Sequence, residues 1–264
     1  MLTIKNLLKI FNKDTANENI LFNGLSFHIN EGDFITVVGS NGAGKSTLLN
    51  IIAGSIEVDN GEMTLEGKDI SKLPEFKRTR SIGRVFQDPS MGTSPSMTIL
   101  ENLSLANNKG KRFGLSKGVS VKDIDYFKEL LSKLNLGLED KLHTKVGMLS
   151  GGQRQALALI MTVMSEPSLM LLDEHTAALD PKTSERILEL TNQIVEEKKI
   201  TTLMVTHNLN HAIKTGNRLI MMHRGEIILD IKGEDKKNLT INKLLSYFDN
   251  IQSSELISDR TLFS

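Results

Sequence analysis

A strand-sized apolar run, Ile35–Gly39, passes straight into Ser40-Asn41-Gly42-Ala43-Gly44-Lys45-Ser46-Thr47 and then into the helix-spaced segment Lys45–Ala53. Strand, glycine loop and helix in that order constrain the fold more than any other feature of the chain. The spacing Gly39-x4-Gly44-Lys45-Ser46 is that of a P-loop, the nucleotide-phosphate grip of many unrelated ATPases and GTPases. Its glycines let backbone N–H groups approach phosphate oxygens, and the helix start adds positive potential. Lys45 is placed to reach the β- and γ-phosphates, and the Ser46 hydroxyl to bind Mg2+.

Further along, strand and helix patterns alternate. A helix is expected from about Gln153 to Ser165, a strand over Leu169–Asp173, a helix over Thr183–Glu197 and a strand over Thr201–Thr206. Such alternation after a P-loop predicts an α/β protein with a mostly parallel sheet covered on both faces. Residues 1–30 alternate apolar and polar as half-buried strands do. Asn60-Gly61 reads as a tight hairpin turn, and Arg218–His223 with Glu226–Asp230 as a closing hairpin around Arg224-Gly225. Between Ser90 and about Gly147, Ile99–Ala106 and Val121–Leu136 have helical spacing. The loop joining them, Asn107–Ser120, carries Lys109, Lys111, Arg112 and Lys117 with no acid, as a solvated loop or a contact for lipid headgroups or a partner would.

Two carboxylates, Asp173 and Glu174, end the apolar strand. That is costly unless a cation or hydrogen bonds compensate. Downstream of a P-loop they read as a Walker B pair, Asp173 for the Mg2+ shell and Glu174 to orient and deprotonate the attacking water. Ser150-Gly151-Gly152-Gln153 is a second anion grip. Ser150 and Gln153 have capping-box spacing, and the glycines bare N–H groups at a helix's positive end.

The ordered series of P-loop, Gln87, Leu149-Ser150-Gly151-Gly152-Gln153, Asp173-Glu174, Ala178-Leu179-Asp180 and His207 resembles the ATP-binding subunit of ABC transporters. The resemblance covers about residues 1–230. It implies a P-loop NTPase core, an antiparallel β subdomain and a helical subdomain inserted at about 90–165, with 231–264 as a carboxy-terminal tail. It implies ATP and Mg2+ as cofactors, Gly39, Ser40, Asn41, Gly42, Ala43, Gly44, Lys45, Ser46 and Thr47 around the phosphates, and Phe11 stacked on adenine. Gln87 would touch Mg2+ and the attacking water. His207 would contact the γ-phosphate and Glu174, and Asp180 would face a second subunit. Two copies are expected head to tail, with Ser150, Gly151, Gly152 and Gln153 of one closing over ATP on the other's P-loop.

The same resemblance implies membrane permease subunits as partners, a separate substrate-binding protein reached through them, and a place on the cytoplasmic face of a bacterial membrane. His175, Ala177, Ala156 and Ile160-Met161 depart from the family's usual residues. With Phe86-Gln87-Asp88-Pro89-Ser90-Met91-Gly92-Thr93 they resemble an importer branch in which some systems are assigned to aromatic amino acids such as tryptophan.

The competing class is a soluble ABC ATPase acting on nucleic acid or ribosomes. The chain has 264 residues, with 32 basic against 32 acidic side chains, which lacks the basic footprint of a nucleic-acid partner. It also has one cassette, and no room for a long coiled coil between P-loop and signature. No run approaches the ~18 apolar residues of a membrane span, no signal peptide opens the chain, and the absence of cysteine rules out disulfides and thiolate metal sites. His207 and His211 stand four apart like a helical zinc pair, but Asn208 occupies the place of the glutamate such a motif needs.

Overall fold

In the computed structural model, which describes residues 1–111 and 118–248, the alternating amino-terminal segment forms β1 (Leu2–Phe11) and β2 (Asn19–Ile29), an antiparallel pair. Leu2, Ile4, Leu7, Phe22 and Ile29 point inward and are fully buried, each contributing about 1.5–3 kcal/mol. The chain continues through β3 (Phe34–Gly39) into α1 (Lys45–Ala53), the expected strand–loop–helix. Strand β4 (Asn60–Leu65) lies antiparallel to β1, and β5 (Lys68–Asp69) pairs with β4. The turn expected at Asn60-Gly61 is not there, because those residues already belong to β4. The tight turn comes at Glu66-Gly67, whose φ angles of 52° and 76° are both positive as a type I′ turn requires.

Helix α2 (Glu75–Arg78) delivers Arg78 to the far end of α1. Its buried guanidinium donates to the carbonyls of Ile51 at 2.7 Å and Ile52 at 3.1 Å. A cation there satisfies terminal carbonyls and complements the helix dipole. Strand β6 (Ile82–Val85) then enters the parallel sheet. Next come α3 (Ile99–Asn107), α4 (Ile124–Ser132) and α5 (Gly151–Met164), whose apolar faces meet around Leu103, Phe127, Leu131, Leu157 and Ile160. The Asn107–Ser120 loop lies partly outside the described residues, since 112–117, with Arg112 and Lys117, are not among them.

The parallel series closes with β7 (Leu169–Asp173), α6 (Pro181–Lys198), β8 (Thr201–Val205), α7 (Leu209–Lys214), β9 (Arg218–His223) and the antiparallel β10 (Glu226–Lys232). The sheet order is β10-β9-β3-β8-β7-β6, parallel except for β10. The first sheet, β2-β1-β4-β5, is antiparallel throughout. Beyond β10, α8 (Glu234–Lys237) places the buried Lys236 ammonium on the carbonyls of Ile213, Thr215 and Gly216, at the end of α7. A last helix, α9 (241–248), buries Leu244 against Val38, Leu219 and Met221. Residues 249–264 of the expected tail lie outside the described residues. Among the described residues no helix is long and apolar enough to cross a membrane.

One buried arginine ties the two sheets together. Arg218 on β9 donates to both Asp230 carboxylate oxygens (2.7 and 2.6 Å), to Asp33 (3.3 Å) and to the His28 carbonyl on β2 (2.7 Å). The Asp230 hydrogen bonds, outweighing burial, hold its pKa above the usual arginine value. Arg218→Met leaves two acids facing a partner that no longer answers them. We expect a loss of about 3 kcal/mol, measured as a lower urea midpoint at unchanged m-value.

Candidate functional site

The parallel register decides where the site lies. Val205 of β8 pairs with Val37 of β3 on one side and Asp173 of β7 on the other. The carboxyl ends of three adjacent strands therefore open at one level, the usual crevice of an open α/β sheet. The glycine loop follows β3 there, Glu174 follows β7, and His207 lies two residues past Val205.

Gly44 stands at the N-cap of α1 with φ 95°, and a Cβ there would lie 2.8 Å from the Phe22 ring. No side chain caps α1, so its first N–H groups can serve an anion. Lys45 is buried, and its ammonium donates to the carbonyls of Gly39 and Ser40, each at 2.9 Å. Burial lowers its pKa, while the nearby charge of Glu174 acts the other way. Ser40 Oγ lies 3.3 Å from His223 Nδ1; Asn41, Gly42 and Ser46 are exposed, Ala43 is buried and Thr47 half-buried.

Opposite the loop, Ser46 Oγ donates to Asp173 Oδ1 at 3.4 Å. Two hard oxygen donors side by side suit Mg2+, which takes one or two carboxylates and completes its shell with water and substrate phosphates. Exposed Gln87 lines, together with Asp173 and Gly151, a cavity of about 580 Å3. Glu174 adopts a left-handed backbone, φ 46°, at a cost of about 1–3 kcal/mol. It is held on every side. Its N–H donates to Val205 O at 3.0 Å, its carbonyl accepts from Ala177 N–H at 2.9 Å, and its carboxylate lies 2.5 Å from His207 Nε2.

The second grip is built as its spacing suggests. Ser150 Oγ accepts from Gln153 N–H at 3.3 Å and Gln153 Oε1 accepts from Ser150 N–H at 3.2 Å, a reciprocal box at the start of α5. Gly152 has a further duty: a Cβ there would lie 2.3 Å from the Thr183 methyl. The first turns of α5 and α6 therefore touch only because residue 152 lacks a side chain. Asp180 caps α6 by accepting from Thr183 N–H at 3.1 Å, and the Thr183 hydroxyl first, then this N–H, hold its carboxyl below the usual range. Phe11 ends β1 opposite Asn19, half-buried, with Lys9 Nζ 5.3 Å from its ring centroid.

Reasoning from sequence assigns no role to three participants. Arg84 on β6 donates to Asp173 Oδ2 at 2.8 Å. Its signal was a lone charge in the short buried strand Ile82–Val85, which must find a partner. Buried Gln155 donates to the Phe86 carbonyl at 3.1 Å, joining α5 to the loop that carries Gln87. The third is His175, beside Glu174.

Comparison with known proteins agrees with this geometry. The ABC transporter family model matches residues 22–177. The tyrosine transport ATP-binding protein of Clostridioides difficile is 54% identical over 249 residues, covering 94% of this chain and 99% of that protein. The xylose/arabinose import ATP-binding protein of Sulfolobus acidocaldarius is 34% identical over 226 residues, 85% of this chain and 87% of that protein. Among solved structures, a dimeric post-hydrolysis ATP-binding cassette bound to ADP and Pi superposes with a TM-score of 0.75 at 31% identity, covering 88% of this chain and 98% of that one.

His175 is buried beneath the site. Thr191 donates its hydroxyl to Ile187 O at 2.7 Å, which leaves the oxygen to accept from His175 Nε2 at 3.1 Å. Burial, and then the proximity of His211, lower the His175 pKa from 6.5 to about 4. Between those values the unfolded chain takes up a proton that the fold refuses, so stability is full above pH 6.5 and falls with pH until about 4. At pH 5 the loss from this group is about 2 kcal/mol. Urea unfolding at pH 7.5 and pH 5 should show that drop in the wild type and a smaller one in His175→Asn.

Proposed function

Since the chain belongs to the ABC transporter family as its ATP-hydrolysing subunit, we propose that it drives an importer of aromatic amino acids, tyrosine among them. One observation carries this reading furthest: the near-full-length, 54% identical relative is a tyrosine transport protein. The sugar import name of a second relative supports import as the direction.

In this reading the phosphates of ATP lie on the N–H groups of Gly39–Thr47, with Lys45 turned from the loop carbonyls toward the β- and γ-oxygens. Ser46 and Asp173, with Gln87 beside them, hold Mg2+, which when bound neutralises charge across the phosphates. Phe11 is the adenine-stacking ring. Glu174 orients the attacking water and takes its proton. The 2.5 Å contact with His207 keeps that carboxylate aimed, and the His207 ring reaches the γ-phosphate. Catalysis is mostly positioning and charge stabilisation.

A single chain carries two anion grips, and a nucleotide has one γ-phosphate. The active form is therefore a head-to-tail homodimer in which Ser150–Gln153 of one copy close over ATP on the other. The dimeric cassette with which this chain superposes supports that assembly. Permease subunits bind the closing dimer at the cytoplasmic face of the membrane, and a separate binding protein supplies the substrate.

Glu174→Gln should bind ATP, accumulate as a dimer on size exclusion and hydrolyse ~10²–10⁴-fold more slowly; wild-type turnover would remove Glu174 from the role. Ser150→Arg should keep ATP binding and lose turnover, and full activity would refute the shared site. In proteoliposomes with permease and binding protein, tyrosine or tryptophan should stimulate hydrolysis. Stimulation by a pentose and not by an aromatic amino acid would reject the substrate class.

A further inference from the structure

The Asp173 carboxylate faces two ways. Its Oδ1 accepts from the Ser46 hydroxyl at 3.4 Å, toward the place where a phosphate-bound metal would sit. Its Oδ2 is taken by Arg84 at 2.8 Å, in an ion pair whose side chains are only 12% and 16% exposed. A guanidinium this close is a permanent positive charge. It satisfies the buried acid, and by the same charge it opposes a cation bound to the other oxygen. Water screens such a pair poorly.

Arg84 is held in place independently of Asp173. Its guanidinium carbon lies 4.6 Å from the Phe86 ring centroid, and the Phe86 carbonyl is fixed by Gln155 of α5. The Thr162 hydroxyl of α5, which donates to the Ala158 carbonyl at 2.9 Å, packs 3.3 Å from the Arg84 carbonyl. The arginine is thus supported from α5, the helix that Ser150 caps, and it stands three residues before Gln87.

We propose that Arg84 is a positioning residue that weakens the metal site, keeping Asp173 from holding the divalent cation so tightly that the metal–ADP product is slow to leave. The proposal rests on Asp173 belonging to the Mg2+ shell, and the experiment separates the two. Mn2+ replaces Mg2+ as the probe, and its binding to the full chain in the presence of ADP is read by electron paramagnetic resonance.

Asp173→Asn tests the shell itself and should weaken Mn2+ binding at least tenfold; no change there would remove Asp173 from the site. Arg84→Gln can still donate to Oδ2 but carries no charge. It should tighten Mn2+ about tenfold, slow ADP release in stopped flow and lower kcat with KM for ATP unchanged or reduced. Arg84→Lys, which keeps the charge, should stay within about twofold of wild type and serves also if the glutamine variant does not fold. Mn2+ affinity that is unchanged or weaker in Arg84→Gln, or tighter in Arg84→Lys, overturns the proposal while leaving the role of Asp173 intact.

Discussion

Parallel pairing of β8 between β3 and β7 is the constraint from which the site follows. Because Val205 pairs with both Val37 and Asp173, the glycine loop, the acid pair and His207 emerge at one level of the sheet. Each comes from a different stretch of chain, and none could be brought to the others by local folding. Parallel neighbours need crossovers, and the helices that supply them, α5 leading into β7 and α6 from β7 to β8 among them, cover the faces and bury the strands on both sides. The core and the site are therefore consequences of one topology.

Charge is managed around that crevice by pairing buried groups. Lys45 rests on loop carbonyls, Asp173 on Arg84, Glu174 on His207, and Arg218 on two acids and a carbonyl. A buried charge without such a partner costs several kcal/mol. The two residues that exchange partners for nucleotide in the proposed function lie at element ends, Lys45 in the first turn of α1 and Glu174 just past β7. The permanently paired Arg78 and Arg218 brace the fold away from the loop. In the proposed function, this division would let the phosphate side reorganise without loosening the sheets.

Much of the candidate site is legible in the amino-acid sequence. The strand–loop–helix around Lys45 appears with the expected helix bounds, the Ser150–Gln153 capping box forms as its spacing requires, and the Arg224-Gly225 hairpin is present. The turn placed at Asn60-Gly61 was misplaced, because Asn-Gly favours positive φ but does not demand a reversal. Pairing with β1 absorbed Gly61 into a strand, and the reversal fell to Glu66-Gly67. His175 stands out in the sequence as a departure from the family's usual residue, yet its bond to Thr191 crosses from the end of β7 to α6 and leaves no periodic trace.

By itself, the sequence determined the features whose partners are near in the chain: the phosphate loop, the helix caps and the acid pair. Their geometry is set by spacings of three to six residues, where chain connectivity alone brings the groups together and loop closure costs little. The tertiary structure decided the rest: which strand lies beside which, that Arg84 meets Asp173 89 positions away, that Gly152 must be bare for α5 to meet Thr183, and that α9 seals the sheet beside β9. Those contacts depend on strand order and register, which no local pattern encodes, because a side chain's distant partner is chosen by the packing of the whole sheet.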